Sequence, residues 1–310
     1  MKVRVKVPPS PFRLLKERYF GEDVRDPRVA RAALARLSAR LPADVAPIVA
    51  EAVTALIDYQ DPDYALLYLD RIERYVGPAG ITLPALAELA RLMAARMQFE
   101  DPIRIAQLTL AAAGGVHAKP DPASRDRIET FRWDDIIRML PRQAAERALN
   151  AFRRLRLGRL LGRSLKLRFS ATGRLTLLRL KGLAALRITR PFSERFRMER
   201  TRVERWLHMV DRSLVKQPGA AADIVRSAEL IAGHGEAYHQ GLAEWSVIID
   251  GVVKPACDGT LVFSDLGSAI REVRHAADGE AGPRRLRAMM DAQARLYAVA
   301  VRGEIAGEGG

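Results

Sequence analysis

Aspartate followed directly by proline occurs at Asp26-Pro27, Asp61-Pro62 and Asp101-Pro102, each time ahead of apolar residues at helical spacing. Aspartate accepts hydrogen bonds from the free N–H groups of a first helical turn. Proline suits the first helical position because the N–H it lacks has no partner there. The pairs therefore punctuate a helical array, with helices predicted over about 27–40, 44–59, 62–76, 83–99 and 102–113. Gly114-Gly115 ends the last of them. Short connections favour antiparallel neighbours, and the alanine-rich faces allow close approach.

Residues 116–131 read as a loop with an extended part, and helical patterns return over 133–140 and 141–157. Then the period changes. Leu165, Leu167 and Phe169 alternate with Lys166, Arg168 and Ser170, Ala171-Thr172-Gly173 follows, and Leu175 and Leu177 come next. Period two around a glycine-containing turn predicts a β-hairpin over about 164–180. Helix period resumes from Ser193 to Lys216, with Phe196, Val203, Leu207, Val210 and Leu214 on one face, and Pro218-Gly219 breaks it. Further helices are predicted near 220–232, 236–250 and 283–302.

The expected fold class is mainly α, a multi-helix array with one inserted basic β-hairpin. Its expected parts are an extended N-terminal arm (1–26), a helical array (27–115), a helical region carrying the hairpin (116–257), a C-terminal helical segment (258–302) and a loose tail (303–310). In the arm, Val3, Val5 and Val7 alternate with charges, which fits either a short edge strand or a disordered start.

No apolar run reaches the roughly 18–20 residues of a membrane span, and no apolar signal core follows the first charges. A cytoplasmic protein without a membrane partner is expected. Cys257 is the only cysteine, so this chain alone holds no disulfide, cysteine-ligated cluster or cysteine-rich zinc site. The net charge of +14 is local: residues 132–205 hold 21 Lys and Arg against 6 Asp and Glu, a surplus of 15, and the remainder sums to −1. An electrostatic partner belongs at that segment.

Two stretches mix ionisable and aromatic residues in a way an ordinary core helix does not require. From Leu56 to Ile72, the residues Tyr59, Gln60, Asp61, Tyr64, Asp70 and Arg71 are candidates for lining a polar groove. Their plain alternative is a capped helix whose tyrosine rings pack. From Leu230 to Trp245, His234, Glu236 and His239 are candidates for an acid–base or ligand cluster. Their plain alternative is a structural turn between helices. The histidines are five apart, not the four of a helical zinc pair, so no metal is assigned. Gly233-x-Gly235 has no third glycine and no preceding strand, which disfavours a dinucleotide loop.

Together these stretches resemble the helical C-terminal region of indolepyruvate:ferredoxin oxidoreductase-type β subunits. The matching residues are Leu230-Ile231…Gly233…Gly235…Gly241-Leu242-Ala243 and Tyr59-Gln60-Asp61…Tyr64…Leu67-Tyr68…Asp70-Arg71, in the same order, with the likeness spanning residues 27–257. The resemblance implies a complex that oxidatively decarboxylates 2-oxoacids of aryl pyruvate type. Thiamine diphosphate, magnesium and iron–sulfur clusters would sit in partner subunits, coenzyme A would be the co-substrate and ferredoxin the acceptor.

This chain departs from that pattern. It lacks the glycine-rich γ-type Rossmann-like segment and any Gly-Asp-Gly…Asn thiamine diphosphate motif, Cys257-Asp258-Gly259 not being one. The expectation is therefore a subunit with no complete active site and no cofactor of its own. It would scaffold the catalytic subunits, with a separate γ-type chain among its partners. Arg153, Arg154, Arg156, Arg159, Arg163, Lys166 and Arg168 are the candidate docking residues. The alternative is a stand-alone module for a polyanion such as RNA, disfavoured by the shortage of aromatics for stacking beside Phe152 and Phe169.

Overall fold

The structure, a computed structural model, describes residues 26–77, 80–121 and 126–307. It is mainly α-helical, with one two-stranded antiparallel sheet among the described residues. The stretch from Val3 to Val7 lies outside them.

The first five helices follow the expected punctuation: α1 (Pro27–Ser38), α2 (Ala46–Tyr59), α3 (Pro62–Glu73), α4 (Leu83–Met97) and α5 (Pro102–Ala112). Asp26, Asp61 and Asp101 each accept a first-turn N–H, from Arg28, Tyr64 and Arg104 respectively. Helix α3 packs on α1 and α2, and α4 packs on α2.

The strands are β1 (Arg127–Arg132) and, beyond α6 (Trp133–Ile137), α7 (Arg142–Arg154) and α8 (Gly158–Leu161), β2 (Ser164–Phe169). They pair antiparallel, with Phe131 opposite Leu165 and Glu129 opposite Leu167. The hairpin predicted over 164–180 is thus corrected in its second half. Its first strand falls where the alternation placed it, but the partner comes from upstream, and the expected second strand is helix α9 (Arg174–Ala185). Leu177, Leu180 and Ala184 are buried at spacings of three and four, while Leu175 and Leu178 face solvent. Leucine on both faces makes a helix imitate period two.

Helix α10 (Glu194–Lys216) runs through the middle of the fold, burying Phe196, Val203, Leu207 and Val210, with Leu214 half-buried. Then come α11 (Ala221–Arg226), α12 (Gly235–Ile248), α13 (Lys254–Asp258), α14 (Leu266–His275) and α15 (Pro283–Gly307), with one π-turn from Ile249 to Val253 between α12 and α13. Helix α13 has no counterpart among the expected helices, and α14 falls within the expected C-terminal helical segment (258–302). The backbone stays helical to Gly307, where a loose tail was expected from 303.

One large core joins the two ends of the chain. Leu56, Leu89 and Met93 from the array share it with Trp206, Ile224, Trp245, Ile248 and Ile270. Side chains of this size contribute about 1.5–3 kcal/mol each on burial. A second core, around Ile105, Phe131, Phe169 and Leu180, seats the sheet on α5 and α9. Trp206 and Trp245 anchor the large core, whereas Trp133 is 38% exposed. No helix among the described residues is long and apolar enough to cross a membrane.

Candidate functional site

The tyrosines of the first stretch latch α2 and α3 onto α4. The Tyr68 hydroxyl donates to the Ala90 carbonyl at 3.1 Å, Tyr64 to Met97 at 2.9 Å and Tyr59 to Phe99 at 3.1 Å. They thereby satisfy carbonyls along and just past α4, the last of which a helix leaves without internal donors. Burial pushes all three hydroxyls well above their ordinary pKa. Of the six groove candidates, Tyr59, Gln60, Tyr64 and Arg71 are buried, Asp61 is a half-buried helix cap, and Asp70 alone is exposed. Arg71 reaches α10, where Nε donates to Glu204 at 3.1 Å.

Beside this latch runs a belt of buried charge. Arg190 donates to both oxygens of Asp101, at 2.8 and 3.0 Å, and to the Tyr59 carbonyl at 2.7 Å, with its guanidinium 4.1 Å from the Tyr59 ring centre. Arg195 reaches Asp135 at 2.6 Å and Glu199 at 3.1 Å, and lies 3.9 Å from the Tyr238 ring centre. Glu199 also takes Arg96 at 2.8 Å, Arg202 at 2.9 Å and the Tyr238 hydroxyl. Burial raises the Glu199 carboxyl, but Arg195, Arg96 and Arg202 outweigh it and hold the group below the usual carboxylate range. Every buried charge in the belt has a partner, as its desolvation demands.

The second stretch closes onto this belt. Gly235, at φ +58°, starts α12 so close to β1 that a β-carbon there would stand 2.4 Å from the Thr130 carbonyl oxygen. At Gly241 it would stand 1.9 Å from the Leu230 carbonyl oxygen. These glycines serve close backbone approach, and their spacing needs no nucleotide to explain it. The approach seats His234 on the ring of Phe131, with Nδ1 2.6 Å from Glu100 and Nε2 2.9 Å from Glu129. Its bond to Glu100 raises the imidazole pKa, and the charges of Glu100 and Glu129 outweigh the opposing effect of burial. His239 Nε2 lies 3.1 Å from Asp135, the carboxylate that also takes Arg195. Glu236 is exposed, 3.9 Å from Arg132. Among the described residues no hydrogen bond or ion pair joins His234, Glu236 and His239 to one another.

Asp134, Asp135 and His239 bring three potential ligand atoms within 4.8 Å of one another. Arg132 already pairs with Asp134 at 3.1 Å, and Arg195 with Asp135. Two guanidiniums thus neutralise both carboxylates, so the trio does not fit a cation. Cys257 is a buried thiol whose pKa burial raises, not an activated one.

The docking candidates occupy a different region. Arg153, Arg154, Arg156, Arg159, Arg163, Lys166 and Arg168 are all exposed, on or between α7, α8 and β2. Arg168 pairs with Asp126, and the other six make no ion pair among the described residues. Between residues 142 and 187 the only acid is Glu146. Leu155, Leu157, Leu175, Leu178 and Leu186 are exposed in that segment, at 68, 42, 71, 66 and 47%. Unpaired cations interleaved with bare leucines are a surface suited to a complementary partner.

Arg96, Glu100, Glu129, Asp135, Arg190, Arg195 and Glu199 build the belt and the histidine tie, and the sequence reading singled out none of them. Arg195 and Glu199, four apart on the stripe that carries Phe196 and Val203, were the available signal: a charge pair within an apolar face.

No curated protein and no solved structure matches the chain. Residues 45–251 match a family of unknown function (DUF6537). That stretch contains the tyrosine latch, the charged belt, the sheet and the whole basic segment. It covers two thirds of the 310 residues, and the chain belongs to this family.

Proposed function

We propose that this chain is a helical subunit of a 2-oxoacid oxidoreductase complex of the aryl pyruvate type. It scaffolds subunits that carry thiamine diphosphate, magnesium and iron–sulfur clusters, and it offers a basic docking surface to a partner subunit or to ferredoxin. In this reading the chain works in the cytoplasm, and the reaction, with coenzyme A as co-substrate, proceeds in the partners. The observation that carries the reading is the segment from 142 to 187, where exposed cations, all but Arg142 and Arg168 without an ion pair among the described residues, interleave with exposed leucines. The likeness of Tyr59–Arg71 and Leu230–Trp245 to the β subunits of such enzymes supplies the identity of the complex. The pairing of His234, His239 and Glu199 with their neighbours supports a scaffolding role for the helical body.

The test is the native mass of the protein taken anaerobically from its own cells at low salt, with all co-purifying chains identified. An assembly with a thiamine diphosphate and iron–sulfur subunit is expected. A lone monomer or homodimer overturns the reading, and bound nucleic acid released by salt replaces it with a polyanion-binding module.

A further inference from the structure

We propose that the free edge of β2 takes an extended acidic segment from a partner protein as a third strand. The sheet has two strands, and β2 is paired only with β1. Among the described residues, the backbone of Ser164–Phe169 makes no hydrogen bond outside that pair. In an antiparallel ladder, alternate residues turn their N–H and C=O groups away from the existing partner. Half of the polar backbone of β2 is therefore available to another strand.

A groove runs beside this strand, between β2 and α9. Leu167, Phe169, Leu180 and Leu183 give it an apolar floor, and Lys166 and Arg179 stand at its sides. No acidic residue lines it. Lys166 and Arg179 have no ion pair among the described residues and are exposed. A strand of six residues spans about 20 Å, so a matching segment alternating acidic and apolar side chains would set its carboxylates by the cations and its apolar side chains over the leucines.

Charge selects the occupant. A second copy of β2 would set Lys166 and Arg168 against the same cations. The chain's own alternating stretch, Val3-Arg4-Val5-Lys6-Val7, is basic too. The other side of the sheet is closed by α12, with Gly235 against Thr130. The one aromatic ring in the floor, Phe169, is 3% exposed and offers no open face for a base, which separates this groove from a single-strand nucleic-acid site.

The inference gives the chemistry of one part of the docking surface and rests on the proposed function only for the source of the segment. Its test uses the full chain and a labelled six-residue peptide alternating glutamate and valine, followed by fluorescence anisotropy and amide exchange. Binding is expected, with slowed exchange confined to amides of Ser164–Phe169. N-methylation of alternate peptide nitrogens, which leaves the charge intact, should weaken binding by about tenfold or more. Arg179→Glu, a change at an exposed position, should weaken it by about tenfold. A lysine–valine peptide should not bind. The proposal is overturned by no binding, by equal binding of the N-methylated or lysine peptide, or by an RNA oligonucleotide that displaces the peptide and also depends on Arg179. Peptide binding without any co-purifying oxidoreductase subunit leaves the groove standing and removes the complex. The reverse result removes the groove alone.

Discussion

Arg190 grips both oxygens of Asp101 across 89 residues of sequence, and the two side chains are 1% and 6% exposed. Asp101 also caps α5, so one carboxylate fixes a helix start and neutralises a guanidinium that lies against Tyr59. Arg190→Met should destabilise the protein by about 3–5 kcal/mol, because it strands a buried carboxylate. Asp101→Asn in the same chain should recover part of that loss, less the weakened cap. Urea denaturation of both single variants and the double variant measures the coupling, and strict additivity would show that the pair is not acting as a unit.

Gly241→Ala should fail to accumulate as folded protein, since its β-carbon would fall 1.9 Å from the Leu230 carbonyl oxygen. Gly182→Ala is the control. It lies within α9 with nothing within 4 Å of a β-carbon, and should stabilise by about 0.5–1 kcal/mol. Soluble yield and thermal midpoint distinguish the two.

His234 joins Glu100 of the α4–α5 connection to Glu129 of β1. Its raised pKa means that its contribution to stability is complete below the ordinary value of 6.5 and is lost as pH rises through the raised one. Glu100 is held low by its bond to His234, so its contribution is present above 4.5 and is lost as pH falls through the lowered value. The tie is strongest between those limits. His234→Gln should cost about 1–2 kcal/mol near pH 6, with the gap to the parent closing as pH rises through the raised value. Melting curves across that range check it, and a gap that ignores pH would exclude an imidazolium at this position.

Arg153→Glu with Arg154→Glu and Arg159→Glu should leave stability within about 0.5 kcal/mol, since none of these side chains makes an ion pair among the described residues. The triple variant should lose partner association by about tenfold or more at low salt and show a shallower salt dependence. Sedimentation of the reconstituted mixture reads both effects.

The parts of the fold that were legible in the sequence are those decided within a few residues. Asp26, Asp61 and Asp101 each sit beside the N–H groups they cap, so three helix starts follow from neighbouring chemistry. The partner of β2 was not legible, because β1 lies more than thirty residues upstream and pairing across that distance leaves no local trace. Helix α9 was misread because Leu175 and Leu178 are exposed leucines, outside the usual division of apolar from polar faces. The two motifs were visible as unusual compositions. Their partners on other elements, Glu199 above all, emerge only once α10 is set between them.

All the buried cations among the described residues, Arg71, Arg96, Arg190 and Arg195, are arginines, and none is a lysine. A guanidinium keeps its proton throughout the range in which proteins are handled. Burial drives the tyrosine hydroxyls packed beside them well above their own ordinary pKa. Once His234 has titrated, added base thus finds no proton to remove from the belt, and the amine reagents that label lysines find no target there. The belt keeps one fixed charge state on addition of base, while the exposed basic segment elsewhere remains open to salt and reagent.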